Sequence, residues 1–418
     1  MTTHRSLQRL AVGALALGLV LAGCGIDPEE SAVGGASAGP SEPVASGDGA
    51  SAAPSAAAVG GGEPEGELQF ANWPLYIDQD DDGNSPTIQQ FEESTDIDVT
   101  YTEAIEDNTS FFGTIQPALA AGEDPGYDII VMTDWMIGNM ARLGYLEPID
   151  VERDVPNFVD NADPTYLERS YDPGNQYSVP WQSGITGIGY NPELVEEEIT
   201  SLSQLFDPEF IEKYCGQIGM FVEMRDSMSL ALLYNGVEPS EATLEEAEAA
   251  QQVLLDQASC VRDYYGNEYA QGLADGSLAI TMAWSGDVFQ LQFDNPDLQF
   301  VVPDEGGILW TDNMAIPKGA AHPNAALEMM NYVYDPEVAA QIAEWVNYIT
   351  AVPGAKDIIL QHAEEAESEE DAEYLRTVAD SPLVFPTEEM LSRLHSYKVL
   401  DEEEERQWNE LFDEVVSG

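Results

Sequence analysis

Aromatic residues stand beside acids at the ends of several segments that read as strands. Trp73 and Tyr76 follow a strand-like run from Leu68, Trp135 follows Val131, and Glu223 and Asp226 follow Val222. Trp284 with Asp287 follows Met282, and Trp310 with Asp312 follows the Gly306-Gly307 pair. An ammonium group leaving water needs carboxylates to replace its hydration. Aromatic faces attract it by cation–π interaction, and an alkyl spacer between amines packs on flat apolar walls. Together these residues make a slot for an alkyl chain carrying protonated amines. Taken by spacing alone, each tryptophan reads first as a core residue.

Other chemistries leave little trace. From residue 67 on, the chain has no G-x-x-x-x-G-K-[ST] phosphate loop, no G-x-S-x-G elbow, no H-E-x-x-H and no C-x-x-C. His322, His362 and His395 lie in polar helical or turn segments, which argues against a histidine-based catalytic site. A carboxylate pair working as acid and base is a further option, but among 78 acids a chance pair is not diagnostic. Asp78-x-Asp80-x-Asp82-Gly83 opens like a calcium loop, yet its twelfth position is Gln89 rather than a bidentate glutamate. It reads as an acidic surface loop before a helix. No metal and no cofactor are expected.

The elements that must position these residues alternate. Leu68 to Trp73, Asp98 to Tyr101 and Tyr127 to Val131 read as strands, with a helix opening at Ser85-Pro86-Thr87 and a helical stretch from Ile105 to Ala121. Ile218 to Val222, Val261 to Tyr265 and Leu278 to Ala283 form a second set, separated by helices such as the one that opens at Thr243 with Glu246 as its capping partner. This is the signature of α/β structure on a largely parallel sheet, with ligands at the carboxyl ends of strands. Between the sets lies 172–195, where Asp172-Pro173-Gly174-Asn175 is turn chemistry. Gly184, Gly187 and Gly189 then interrupt a strand, so either backbones approach closely there or the chain changes direction. The last helix starts at Asp401, with Glu404 three residues on, and buries Trp408, Leu411, Phe412 and Val415.

Arg5 and Arg9 precede the apolar run Leu10 to Leu21, too short to span a bilayer, and Leu21-Ala22-Gly23-Cys24 matches a bacterial lipobox. That match implies a signal peptide at 1–23 and lipidation of Cys24. Residues 24–66, rich in Gly, Ala, Ser and Pro, are expected to be a flexible tether. Net charge is −64, with only 14 basic residues, which disfavours nucleic acid and anionic ligands and suits either a solvated surface or the attraction of cations. Cys215 and Cys260 each precede a strand, so neighbouring parallel strands would bring them together as a disulfide.

The chain resembles the polyamine (spermidine/putrescine) binding proteins of ABC transporters over nearly all of residues 67–418. The matching blocks, in order, are NWPLYI at 72–77, GYDIIV at 126–131, GYLEPID at 144–150, DPGNQYSVP at 172–180, ITGIGYN at 185–191, MAWSGD at 282–287, EGGILWTDNMAIP at 305–317 and VNYITAVPGA at 346–355. The resemblance implies an α/β, two-lobed fold of the periplasmic-binding-protein type II, with a ligand cleft between lobes and hinge-like closure. Lobe 1 would comprise 67–183 and 311–356, and lobe 2 would comprise 184–310 and 357–418. The chain would cross at Gln182 to Thr186, Glu305 to Thr311 and Gly354 to Ile358.

Carried over by position, the resemblance places Trp73, Tyr76, Thr133 and Trp135 at the first lobe's mouth and Glu223 and Asp226 on the second. It makes Trp284 and Trp310 walls, Asp287 an amine partner, Asp312 the central carboxylate and Tyr348 a hydroxyl contact. Pro74 and Leu75 depart from the acidic or hydroxyl residues common in that segment, and Trp135 stands where a tyrosine is common, which bears on ligand length. The expected protein is an extracytoplasmic, lipid-anchored monomer that binds a polyamine, delivers it to an ABC permease and catalyses no reaction. A quaternary ammonium osmolyte is the alternative ligand, and a secreted carboxylate-pair hydrolase the alternative class.

Overall fold

The computed structural model describes residues 58–80, 82–167 and 169–417; the signal segment, Cys24 and most of the tether lie outside them. Local chemistry sets the helix starts. Ser85 caps the helix Pro86–Thr95 by accepting from the Ile88 amide, with Pro86 inside the first turn, and Ile88 and Phe91 are buried. Thr243 and Glu246 form a reciprocal capping box on the helix Leu244–Ala258. The C-terminal helix Glu402–Ser417 packs on that helix with Trp408, Phe412 and Val415 buried, and the Gln251 side-chain amide donates to the Leu411 carbonyl.

Among the described residues eleven strands make one sheet: β1 (Glu67–Asn72), β2 (Asp98–Glu103), β3 (Ile129–Thr133), β4 (Ser178–Tyr190), β5 (Ile218–Phe221), β6 (Val261–Tyr265), β7 (Ile280–Trp284), β8 (Gln299–Val301), β9 (Gly307–Ala315), β10 (Ile349–Thr350) and β11 (Leu394–His395). The main path runs β2-β1-β3-β9-β4-β7-β5-β6. Each flank is parallel within itself, β2-β1-β3 on one side and β7-β5-β6 on the other. The centre is not. β3–β9, β9–β4 and β4–β7 are antiparallel pairs, so the sheet is mixed rather than largely parallel. The cause lies in β4 and β9, which pass between the flanks in opposite directions and pair with each other from Ser178↔Ala315 to Thr186↔Ile308.

All thirteen residues of β4 and all nine of β9 are buried. Their register shifts between Pro180 and Gln182, where proline has no amide to donate. β10 joins them, with Ile349 opposite Ser183 and Thr350 opposite Gln182, so three strands lie side by side at this level. Gly354 to Ile358, by contrast, lead into the helix Ala355–Glu365. Gly187 and Gly184 have different reasons to be glycine. A Cβ on Gly187 would meet the Val301 carbonyl oxygen of β8 at 2.4 Å, whereas one on Gly184 would lie 2.3 Å from the Trp310 indole.

Cys215 and Cys260, just ahead of the parallel neighbours β5 and β6, are joined as a disulfide. At the other end, chain that is tether-like in composition is already attached at Val59. The Val59 amide donates to the Pro148 carbonyl, Gly62 donates to Asn324, and the Glu65 carboxylate accepts from the Asn324 side chain and the Ala325 amide. Among the described residues no helix is long and apolar enough to cross a membrane.

Candidate functional site

β9 carries Trp310 and Asp312 two residues apart, hence on one face. Asp312 is buried and accepts from the Thr133 hydroxyl at 2.7 Å and the Tyr76 hydroxyl at 3.0 Å. Thr133 ends β3, and Asn108 orients it twice: its amide donates to the threonine hydroxyl at 2.8 Å, and its carbonyl oxygen accepts from the Thr133 backbone. Burial pushes the Asp312 carboxyl up to about 7, against the pull of its two hydroxyl donors; Asp134 and Asp226 add to the rise. Among the described residues Asp312 has no ion-pair partner.

A second carboxylate repeats the arrangement. Asp287, in the first turn of the helix Ser285–Leu291 that follows β7, accepts from Tyr269 at 2.7 Å and Tyr348 at 2.6 Å. It too lacks an ion-pair partner among the described residues, and burial raises its pKa while the two tyrosines lower it. Burial also drives the hydroxyls of Tyr76, Tyr269 and Tyr348 well above their ordinary pKa, so all three remain protonated donors.

Rings join the two acids. Tyr76 meets Tyr348 edge to face at 5.6 Å, Tyr348 meets Trp310 at 5.6 Å, and Trp310 meets Trp284 at 6.3 Å. Phe221 and Tyr269 back Trp284 at 4.5 and 5.8 Å. Two glycines make room for this wall: Gly184 beneath Trp310, and Gly286, whose Cβ would lie 2.4 Å from the Tyr348 ring. The Trp310 indole N–H is buried without a hydrogen-bond partner among the described residues.

Asp226 and Glu223 stand at the end of β5. Asp226 is buried and accepts from the Thr186 and Tyr397 hydroxyls; desolvation pushes it up to about 6. Glu223 is half-buried and pushed up to about 7, first by desolvation and then by Asp226, with Arg225 pulling the other way. Arg225 pairs with Glu405 at 2.8 Å, a structural ion pair of the kind its isolation among so many acids suggests. Its guanidinium lies 3.6 Å from the centroid of the Trp135 ring, so one face of that indole is taken by the protein itself. Trp73 is half-buried, with its N–H given to the Val131 carbonyl.

The structure thus brings Tyr76, Thr133, Asp312, Trp310, Tyr348 and Asp287 into one connected set with Trp284 at its end. Sequence reasoning missed Tyr269, Tyr397 and Thr186, the hydroxyls that hold Asp287 and Asp226. Tyr397 and Thr186 stand in no aromatic–acid pair at a strand end, and Tyr269 has Glu268 beside it after β6 but holds another acid, so that signal does not lead to them. The aspartates of the calcium-like segment are occupied otherwise. Asp78 accepts from Ser85, the Thr87 amide and Gln341, while Asp80 accepts from the Asp82 and Asn84 amides. Among the described residues no group of three or more His, Cys, Asp and Glu side chains is placed to hold a metal ion.

Parallel flanks exchanging chain through an antiparallel centre, with buried acids and rings gathered at the exchange, define a two-lobed solute receptor of the periplasmic-binding-protein type. The model of the bacterial extracellular solute-binding protein family matches residues 87–375, and the chain belongs to that family. It is 29% identical over 293 residues to the spermidine/putrescine-binding periplasmic protein of Escherichia coli, covering 70% of this chain and 79% of that one. It is 25% identical over 366 residues to the putrescine-binding periplasmic protein SpuD of Pseudomonas aeruginosa, covering 84% and 92%. Among solved structures, the spermidine/putrescine ABC transporter substrate-binding protein PotD of Streptococcus pneumoniae superposes with a TM-score of 0.68 at 27% identity, over 84% of this chain and 98% of that one.

Proposed function

We propose that this chain is a lipid-anchored extracytoplasmic receptor that captures a protonated polyamine of the putrescine and spermidine class between two lobes and delivers it to an ABC permease. It performs no bond chemistry. The lobes are 67–183 with 311–356 and 184–310 with 357–418, and the tether, which ends where the chain attaches at Val59 rather than at 66, joins them to a lipidated Cys24. The carrying observation is the pair Asp312 and Asp287: two acids with hydroxyl donors, no cation, and a continuous run of rings between them. Leaving a carboxylate buried and uncompensated costs several kcal/mol. An alkyl diamine supplies an ammonium to each acid and methylenes to the rings, and the tyrosine oxygens, while donating to the acids, still accept N–H bonds. The spermidine- and putrescine-binding relatives point to the same ligand class. A quaternary ammonium has no N–H to offer these acceptors and fits less well.

Titration calorimetry with putrescine, spermidine and spermine tests the reading. Binding of at least one at moderate salt is expected. No heat and no thermal shift with any of the three would overturn the polyamine assignment.

A further inference from the structure

A second set of contacts, made by neither Asp312 nor Asp287, joins the two flanks of the sheet. The helix Asp134–Leu143 follows β3 and presents Trp135, Asn139 and Arg142 at spacings of four and three, one stripe of its surface. Every one of these meets chain attached to the other flank. The Trp135 ring carries the guanidinium of Arg225, from the helix Met224–Tyr234 after β5. Asn139 donates to one oxygen of Glu405 at 2.9 Å, while the other oxygen holds Arg225 at 2.8 Å. Arg142 donates to the Leu400 carbonyl at 2.7 Å. Leu400 and Glu405 are fastened to the β5 flank in turn, through Tyr397 on Asp226, Lys398 on the Ala242 carbonyl, and the C-terminal helix on Leu244–Ala258.

We propose that Trp135, Asn139 and Arg142 on one side, and Arg225, Glu405 and Leu400 on the other, form a latch that closes with the lobes and holds them shut without touching the ligand. Arg225 is the keystone, because one buried guanidinium satisfies a carboxylate of its own flank and an aromatic face of the opposite one. These are positioning residues: they set how much of the population is competent to hold ligand, and apparent affinity scales with that fraction. The inference rests on the two-lobed receptor reading, but not on the identity of the ligand.

The double variant N139A/R142A tests it, since both changes fall on a helix surface outside the acid-and-ring set. Dissociation rates measured by stopped flow are expected to rise by a similar factor, on the order of tenfold, for every ligand that closes the protein, with association rates little changed. No change, or a change confined to one ligand, would overturn the latch, because the residues would then be idle or would act on the ligand itself. If wild type binds none of the polyamines, small-angle X-ray scattering of the unliganded proteins decides instead. A more extended N139A/R142A supports the latch while the ligand assignment falls; superimposable curves overturn it.

Discussion

Tyr76 and Tyr348 meet edge to face at 5.6 Å, and their hydroxyls are committed to different carboxylates, Asp312 and Asp287. One tyrosine follows β1 and the other precedes β10, so this contact links two acids that reach the site from separate parts of the chain. A ligand with two ammonium groups would meet both acids along one aromatic track.

Asp312→Ala removes the acid with the most elaborate support. If it pairs with a ligand ammonium, the loss is expected to be about 3–5 kcal/mol in binding free energy, the usual effect of breaking one side of a buried ion pair. Calorimetry reads this directly, and an unaltered affinity would identify another carboxylate as the central one.

Acidity is expected to act in opposite senses on the free and the liganded protein. Burial holds Asp312 and Glu223 up to about 7 and Asp226 up to about 6, above the roughly 4 of an unfolded carboxylate. The folded, free protein therefore binds more protons than the unfolded chain. Through these groups its stability is greatest below pH of about 4 and declines as pH rises toward 7. Ammonium binding needs the ionised acids, so affinity weakens as pH falls below about 7. Thermal melts from roughly pH 5 to 8, with and without ligand, should converge at the acid end, and D312N should flatten the pH slope of the free protein.

Gly184→Ala places a methyl group where the Trp310 indole now lies. A clash of this kind in a close-packed interior costs about 1–3 kcal/mol, and here the ring displaced belongs to the proposed ligand wall. Both melting temperature and affinity are expected to drop. Gly66→Ala, at an open position without positive φ, controls for loss of a glycine alone.

Replacing Cys215 and Cys260 together by serine opens a covalent loop with a sequence separation of 45 residues. The expected cost is about 2–5 kcal/mol of stability with ligand affinity unchanged, because the bond lies at the starts of β5 and β6 rather than at their site-bearing ends. Differential scanning calorimetry, paired with a binding titration, measures both.

Local signals exposed most of the flanks. Capping at Ser85 and Thr243, the alternating run at β1 and the apolar run at β3 are decided within a few residues of chain, and Val261 to Tyr265 forms β6 with the limits its composition indicates. The antiparallel centre was not legible, because pairing of β4 with β9 joins residues more than a hundred positions apart. Gly184 showed only that something comes close; that it is an indole emerges from Ser183↔Thr311 and Gly184↔Trp310 register. Aromatic–acid pairing pointed to Asp312 and Asp287, since each stands near a tryptophan, although Trp310 and Asp312 lie within β9 rather than at a strand end. Tyr397 carries no such mark and Tyr269 stands beside a different acid, Glu268, so their value comes only from the acids that folding brings to them.

β9 lies in the antiparallel centre and also carries Trp310 and Asp312. Under the proposed function, recognition and movement would thus be written in a single strand. Substitutions there cannot retune selectivity in isolation, because each would also alter how readily the molecule bends. Diversification toward new ligands would therefore be easier at the ends of the parallel flanks, at Trp73 and Glu223, where chemistry can vary while the mechanics stay fixed.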